Sequence, residues 1–190
     1  NLAEKTFVAA SGINMPTTPF TLHRSPLTIL TCANLIKRKN IDKLILAIKD
    51  LEGFKLTIIG YGKELKSLKK LTVKNNVEFL GKLPHEKVLE EMQKSNIFVL
   101  PSVKETFGMV YLEAMASGCI TVCTKNDGID GIIKDSENGF LTEPTTDGIK
   151  ETLLKIKNFD NLDKIVKNSL NTVKNYSPEI CAENYLDNIK

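Results

Sequence analysis

The sequence predicts an α/β fold, a doubly wound parallel sheet flanked by helices. Short apolar runs of strand length alternate with segments of helical period along most of the chain, the pattern of parallel βαβ units. With 190 residues, 42% of them hydrophobic, the chain can bury one substantial core and gives no case for two full domains.

The first 26 residues, with Gly12, Pro16, Pro19, Ser25 and Pro26, have little periodicity and read as a linker, residues 1–26, leading into one domain, residues 27–190. Strands are expected near 28–32, 55–59, 77–80, 97–100, 121–123 and 139–141. Helices are expected near 41–51, 63–71, 85–94 and 110–117, and at the end near 146–157, 162–175 and 178–189. Ile97-Phe98-Val99-Leu100 is an unbroken apolar run, and Pro101 removes a donor and bars the strand from continuing. Val110 to Ala116 then reads as a short buried helix that Gly118 is suited to end. In such sheets ligands bind beyond the carboxyl ends of the strands, so the loops after Cys32, Ile59, Leu80, Leu100 and Cys123 are the expected site.

A formal net charge of +3 is compatible with an anionic ligand but far from a nucleic-acid-binding extreme. Cys32, Cys119, Cys123 and Cys181 lack metal-site spacing and read as free thiols in a reducing compartment. No run approaches the roughly 18 apolar residues of a membrane span, and the polar start is no signal peptide. A soluble, cytoplasmic protein is expected, with the cytoplasmic face of a membrane as its alternative station.

Chemistry concentrates in the stretch from Pro101 to Gly118. Glu105 falls in the loop and Glu113 inside the helix, with the free N–H groups of Phe107, Gly108, Met109 and Val110 between them. Those N–H groups and the helix dipole make an anion site, and the carboxylates can accept hydrogen bonds from sugar or ribose hydroxyls. The bland readings are a surface-loop carboxylate for Glu105 and an exposed helix face for Glu113, but Val110, Leu112, Ala114 and Met115 leave little of that helix exposed. An internal carboxylate needs partners.

Glu105 and Glu113, with seven residues between them, stand at the spacing of a glutamate pair in the retaining glycosyltransferases of the GT-B fold, glycosyl transferases group 1, which the chain resembles from about Leu27 onward. Leu27 to Cys32, Ile58-Ile59-Gly60-Tyr61-Gly62, Val77 to Gly81, Gly128 to Ile133 and Glu137 to Leu141 follow that family in order and spacing. The resemblance implies the C-terminal, donor-binding half of a longer enzyme, a Rossmann-like domain that faces an N-terminal acceptor domain across a cleft. Its substrates would be a nucleoside diphosphate sugar and a glycan or lipid-linked acceptor, with no cofactor and no metal ion.

The resemblance also implies roles. Glu105 would meet the donor sugar near its reacting carbon and Glu113 the two ribose hydroxyls. Gly60 and Gly62 would let the backbone approach the donor, Gly108 would admit a phosphate, and Lys82 would neighbour the base. Lys39 matches a lysine that holds the diphosphate in place of a metal. Asn34 stands where an arginine is common and Asn40 where a glycine is common, so that Arg38 or Lys37 compensates, donor binding is weaker, or activity is lost. Neither His23 nor His85 has the partners of a catalytic base, and His85 reads as structural. The basic face of helix 63–71 reads as solvated, with peripheral contact to anionic lipid as its alternative.

Two competitors are carried forward, a sugar-nucleotide epimerase of the same fold and a sugar-nucleotide-binding domain without catalysis. A nicotinamide dehydrogenase is disfavoured, because no glycine fingerprint follows the first strand.

Overall fold

The computed structural model describes residues 26–72 and 76–189; the expected linker lies outside them, save Pro26. Six strands form one parallel sheet: β1 (Leu27–Cys32), β2 (Phe54–Ile59), β3 (Val77–Gly81), β4 (Ile97–Leu100), β5 (Ile120–Thr124) and β6 (Phe140–Thr142), in the order β3-β2-β1-β4-β5-β6. The order reverses between β1 and β4. That reversal opens a crevice at the carboxyl end of the sheet, where ligands of doubly wound folds bind.

The helices are α1 (Ile41–Ile48), α2 (Leu65–Leu71), α3 (His85–Gln93), α4 (Met109–Ala116), α5 (Thr146–Lys157), α6 (Leu162–Val173) and α7 (Pro178–Ile189). α1 packs with α2 and α5, while α4 packs with α3 and α6, so the two groups cover opposite faces of the sheet. Every residue of β4 and β5 is buried, which accounts for the unbroken apolar run of β4, while β5 buries Thr121 and Thr124 among its apolar residues. Edge strand β3 is half-buried and exposes Glu78.

The pairing of β1 with β4 is short, Ile29 opposite Ile97 and Leu30 opposite Phe98. Buried Asn96 extends it. Its Oδ1 accepts from both the backbone N–H and the hydroxyl of Thr28 at 3.0 Å, and its own N–H donates to the carbonyl of Thr28. Tyr111 of α4 lies edge-on to Phe98 and donates its hydroxyl to the carbonyl of Leu100 at 2.7 Å, anchoring α4 on the end of β4.

The expected elements all form, with shifted ends. The first helix stops at Ile48 rather than near 51, and Gly53 then turns into β2 with a φ of 82°. The segment expected as one helix to 175 ends at Val173 and tightens into a 3-10 turn at Lys174–Tyr176. Gly118 ends α4 in the left-handed region, φ 85°, as its sequence position suggests.

Candidate functional site

The loop after β1 is held on two sides. Against β2 it donates from Ala33 to the carbonyl of Ile59 and from Leu35 to that of Tyr61, both at 3.1 Å. A Cβ at Gly60 would lie 1.9 Å from the carbonyl oxygen of Ala33, and one at Gly62 2.4 Å from that of Leu35. These glycines therefore have a duty the sequence did not reveal: they let two site loops lie backbone to backbone.

On its other side the loop is tied to the segment after β4. A 3-10 turn, Lys37–Lys39, ends at Asn40 in the left-handed region, φ 51° and ψ 32°, where asparagine is one of the few residues other than glycine at home. Asn40 also does what glycine cannot. Its buried amide donates to the carbonyl of Pro101 at 2.8 Å, while Val103 N–H donates to the carbonyl of Arg38 at 2.9 Å.

This join carries two cations onto one carboxylate. Oε1 of Glu105 accepts from Lys39 Nζ, from the hydroxyl of Ser102 and, at 3.0 Å, from Arg38 Nη1. Lys39 is buried and the Glu105 side chain only 13% exposed, whereas Arg38 reaches in from solvent. Burial works against ionising Glu105, but the hydrogen bonds from Lys39 and Ser102 and the charges of Lys39 and Arg38 outweigh it. They hold the carboxyl below its ordinary range.

The sequence reading missed the supports of this carboxylate. Asp127 Oδ1 accepts from the backbone N–H of Glu105 and of Gly128, both at 3.0 Å. A Cβ at Gly128 would lie 2.7 Å from that of Glu105. Gly128 stood out only as a match to the family, while Ser102 beside Pro101 carried no sequence signal of its own.

Gly108 caps α4 with φ 76°, and a Cβ there would meet the Tyr111 ring at 2.6 Å. The sequence explained this glycine by phosphate approach; the fold itself requires it. The N–H groups of Phe107, Gly108, Met109 and Val110 find no acceptor among the described residues, as the anion reading needs. Phe107, Met109 and Val110 are half-buried against the core, and Phe107 also packs on Tyr176 with ring centroids 6.1 Å apart.

Glu113 differs in its company. Its Oε1 lies 2.9 Å from Nε2 of His85, so the reading of His85 as a histidine without such a partner is corrected. Spacing could not show this, because the pair joins two helices 28 residues apart. Burial, and after it the charge of Glu113, pushes the thiol of Cys32 at the end of β1 up to about 11.

Asn34 and Lys82 are exposed, and neither side chain has a partner among the described residues. No group of three or more His, Cys, Asp or Glu among them could hold a metal ion. Hollows of about 420 and 590 Å³ lie along α6; Gly131, Ile132 and Lys134 of the loop after β5 line the first, but Lys39, Glu105 and Glu113 line neither. We place the site by its converging charges instead of by concavity, because ligand sites are defined by placed polar groups as much as by shape.

The sheet order and this crevice define a Rossmann-like domain, the C-terminal half of a GT-B fold. The chain belongs to the glycosyl transferases group 1 family, which its residues 20–171 match. It is 36% identical over 152 residues to an uncharacterized glycosyltransferase of Methanocaldococcus jannaschii, covering 77% of this chain and 43% of that protein. With the N-acetyl-alpha-D-glucosaminyl L-malate synthase of Bacillus anthracis it shares 30% identity over 143 residues, 71% of this chain and 37% of the relative. The chain thus spans less than half the length of these curated relatives.

Among solved structures, S. aureus TarM bound to fondaparinux, alpha-GlcNAc-glycerol and UDP superposes with a TM-score of 0.83 at 22% identity, over 96% of this chain and 39% of that one. The C-terminal domain of a Francisella tularensis glycosyl transferase group 1 protein gives 0.69 at 28% identity, over 78% and 84%. No helix among the described residues is long and apolar enough to cross a membrane.

Proposed function

We propose that this chain is the donor-binding part of a retaining glycosyltransferase that moves a sugar from a nucleoside diphosphate sugar to a glycan or lipid-linked acceptor. One observation carries the reading: Lys39 and Arg38 converge on Glu105 at the point where the strand order reverses, beside unpaired N–H groups at the start of α4. A diphosphate gathers negative charge as its bond to the sugar breaks. Lys39, Arg38 and the N–H groups of Gly108 to Val110 would stabilise that charge, the two cations serving where a metal ion would otherwise sit.

Glu105, held ionised, is suited to face positive charge developing at the reacting carbon and unsuited to giving up a proton there. Its attraction for Lys39 keeps the ammonium in place, and an arriving diphosphate would share that ammonium. Glu113 would accept from the ribose hydroxyls. The acceptor would be bound by a further domain of the longer protein, and four free cysteines suit a reducing cytoplasm.

Titrating the chain with uridine, uridine diphosphate and uridine diphosphate sugars tests this, with the guanosine and adenosine series alongside. The uridine series comes first because the TarM complex holds UDP. The reading predicts that the two phosphates add tenfold or more to affinity over the nucleoside, about 1.5–3 kcal/mol for a charge-assisted contact. Equal affinity for nucleoside and diphosphate would overturn it. Tight sugar-nucleotide binding by the longer protein, without transfer to any acceptor, would favour the non-catalytic reading that uncharged Asn34 suggests.

A further inference from the structure

His85 opens α3, directly after Pro84, whose φ of −58° and ψ of 151° lead the chain into the helix. Positions 85, 88 and 92 share one stripe of that helix. Val88 and Met92 are buried there, so the same stripe turns His85 toward α4, against which α3 packs. The imidazole remains 65% exposed while the Glu113 carboxylate is only 22% exposed.

An exposed histidine at the start of a helix needs no partner, since water satisfies it. This one reaches across to the less exposed carboxylate, and at 2.9 Å it has hydrogen-bond geometry. Glu113 Oε2 has no hydrogen-bond partner among the described residues. An ionised carboxylate has about four lone-pair sites, so the imidazole takes one and leaves enough for two hydroxyls. The last torsion of a glutamate is broad, and without a fixed partner the carboxylate plane would wander.

We propose that His85 is a positioning residue for the donor's ribose: by donating its Nε2–H to Oε1 of Glu113 it fixes the carboxylate plane and presents Oε2 to the ribose hydroxyls. This rests on the donor-site reading above, in which Glu113 meets the ribose. The hydrogen bond selects the tautomer with its proton on Nε2, or the imidazolium. It makes Glu113 a pre-oriented acceptor, which raises affinity by lowering what binding must order. A pre-oriented acceptor also sharpens selection, because a site built to receive a hydroxyl rejects the analogue that lacks it.

The test compares native chain, His85→Ala, His85→Gln and Glu113→Ala by calorimetry. The probes are uridine, guanosine and adenosine diphosphate, each beside its 2′-deoxy counterpart. We expect His85→Ala to weaken the best ribonucleotide by roughly three- to tenfold, the range of one hydrogen bond, and its 2′-deoxy counterpart, which keeps only the 3′-hydroxyl, by clearly less. The ribose preference then shrinks. Glutamine carries a donor at similar reach, so His85→Gln should restore most of the preference. A merely structural role would weaken both sugars alike and would not distinguish alanine from glutamine.

If Glu113→Ala abolishes the ribose preference while His85→Ala keeps it, the positioning role is wrong and the donor site stands. If Glu113→Ala also keeps the preference, the assignment of Glu113 to the ribose fails and this proposal fails with it.

Discussion

Glu105 and Glu113 are eight positions apart in sequence and live in different electrostatic regions. Glu105 accepts from an ammonium, a guanidinium and a hydroxyl on one oxygen, and two loops are built around it. Glu113 sits on a helix with a single imidazole partner and no lysine or arginine in hydrogen-bond contact among the described residues. The lesson is that the same residue type is assigned its work by its neighbours. A carboxylate that gathers cations brings with it the positive charge a diphosphate needs, while one with a single neighbour keeps its lone pairs for hydroxyls.

The largest way to break this comparison is to remove what orients the two regions relative to each other. Gly108→Ala forces a side chain into a left-handed position and against the Tyr111 ring, and should cost about 2–4 kcal/mol of stability. Chemical denaturation would show it; an unchanged midpoint would mean that α4 can start elsewhere. Asn40→Ala loses a buried hydrogen bond and a residue that tolerates its backbone, about 1–3 kcal/mol, whereas Asn40→Gly loses only the bond, about 1 kcal/mol. If the two variants unfold alike, the left-handed turn is not what carries Lys39 to its place.

The pH dependence sharpens the contrast further. Because the carboxyl of Glu105 is held below its ordinary range in the folded chain, its contribution to stability is present above the unfolded glutamate range. That contribution is lost as pH falls through the lowered value. The stability gap between native chain and Glu105→Gln should therefore narrow on acidification, read from denaturation midpoints at a series of pH values. A gap that widened would reverse the sign assigned to Glu105. The smallest effect is expected from Asn34→Arg, which should tighten diphosphate binding about two- to fivefold without altering nucleoside binding, if the added guanidinium reaches the same oxygens.

The strands and helices were legible because parallel strands buried on both faces write themselves as apolar runs, and punctuation such as Pro101 and Gly118 marks their ends. The carboxylate pair was legible from its spacing. Its partners were not. Lys39 reaches Glu105 only through a left-handed asparagine and a backbone bond between loops 65 residues apart, Val103 to Arg38. His85 meets Glu113 through the packing of two helices, which periodicity does not report. Gly60, Gly62 and Gly108 announced themselves as glycines, but their reasons, two carbonyl oxygens and a tyrosine ring, appear only once the chain is folded.

The central claim is that the cation side of the crevice grips the diphosphate and the other side the ribose. The most direct measurement is one calorimetric comparison of Lys39→Ala and Glu113→Ala against a nucleoside and its diphosphate. We predict that Lys39→Ala loses about tenfold or more in diphosphate affinity and almost nothing for the nucleoside, while Glu113→Ala weakens both. If Lys39→Ala weakens nucleoside and diphosphate equally, or leaves both unchanged while Arg38→Ala removes the diphosphate preference, the assignment of the grip to Lys39 is contradicted.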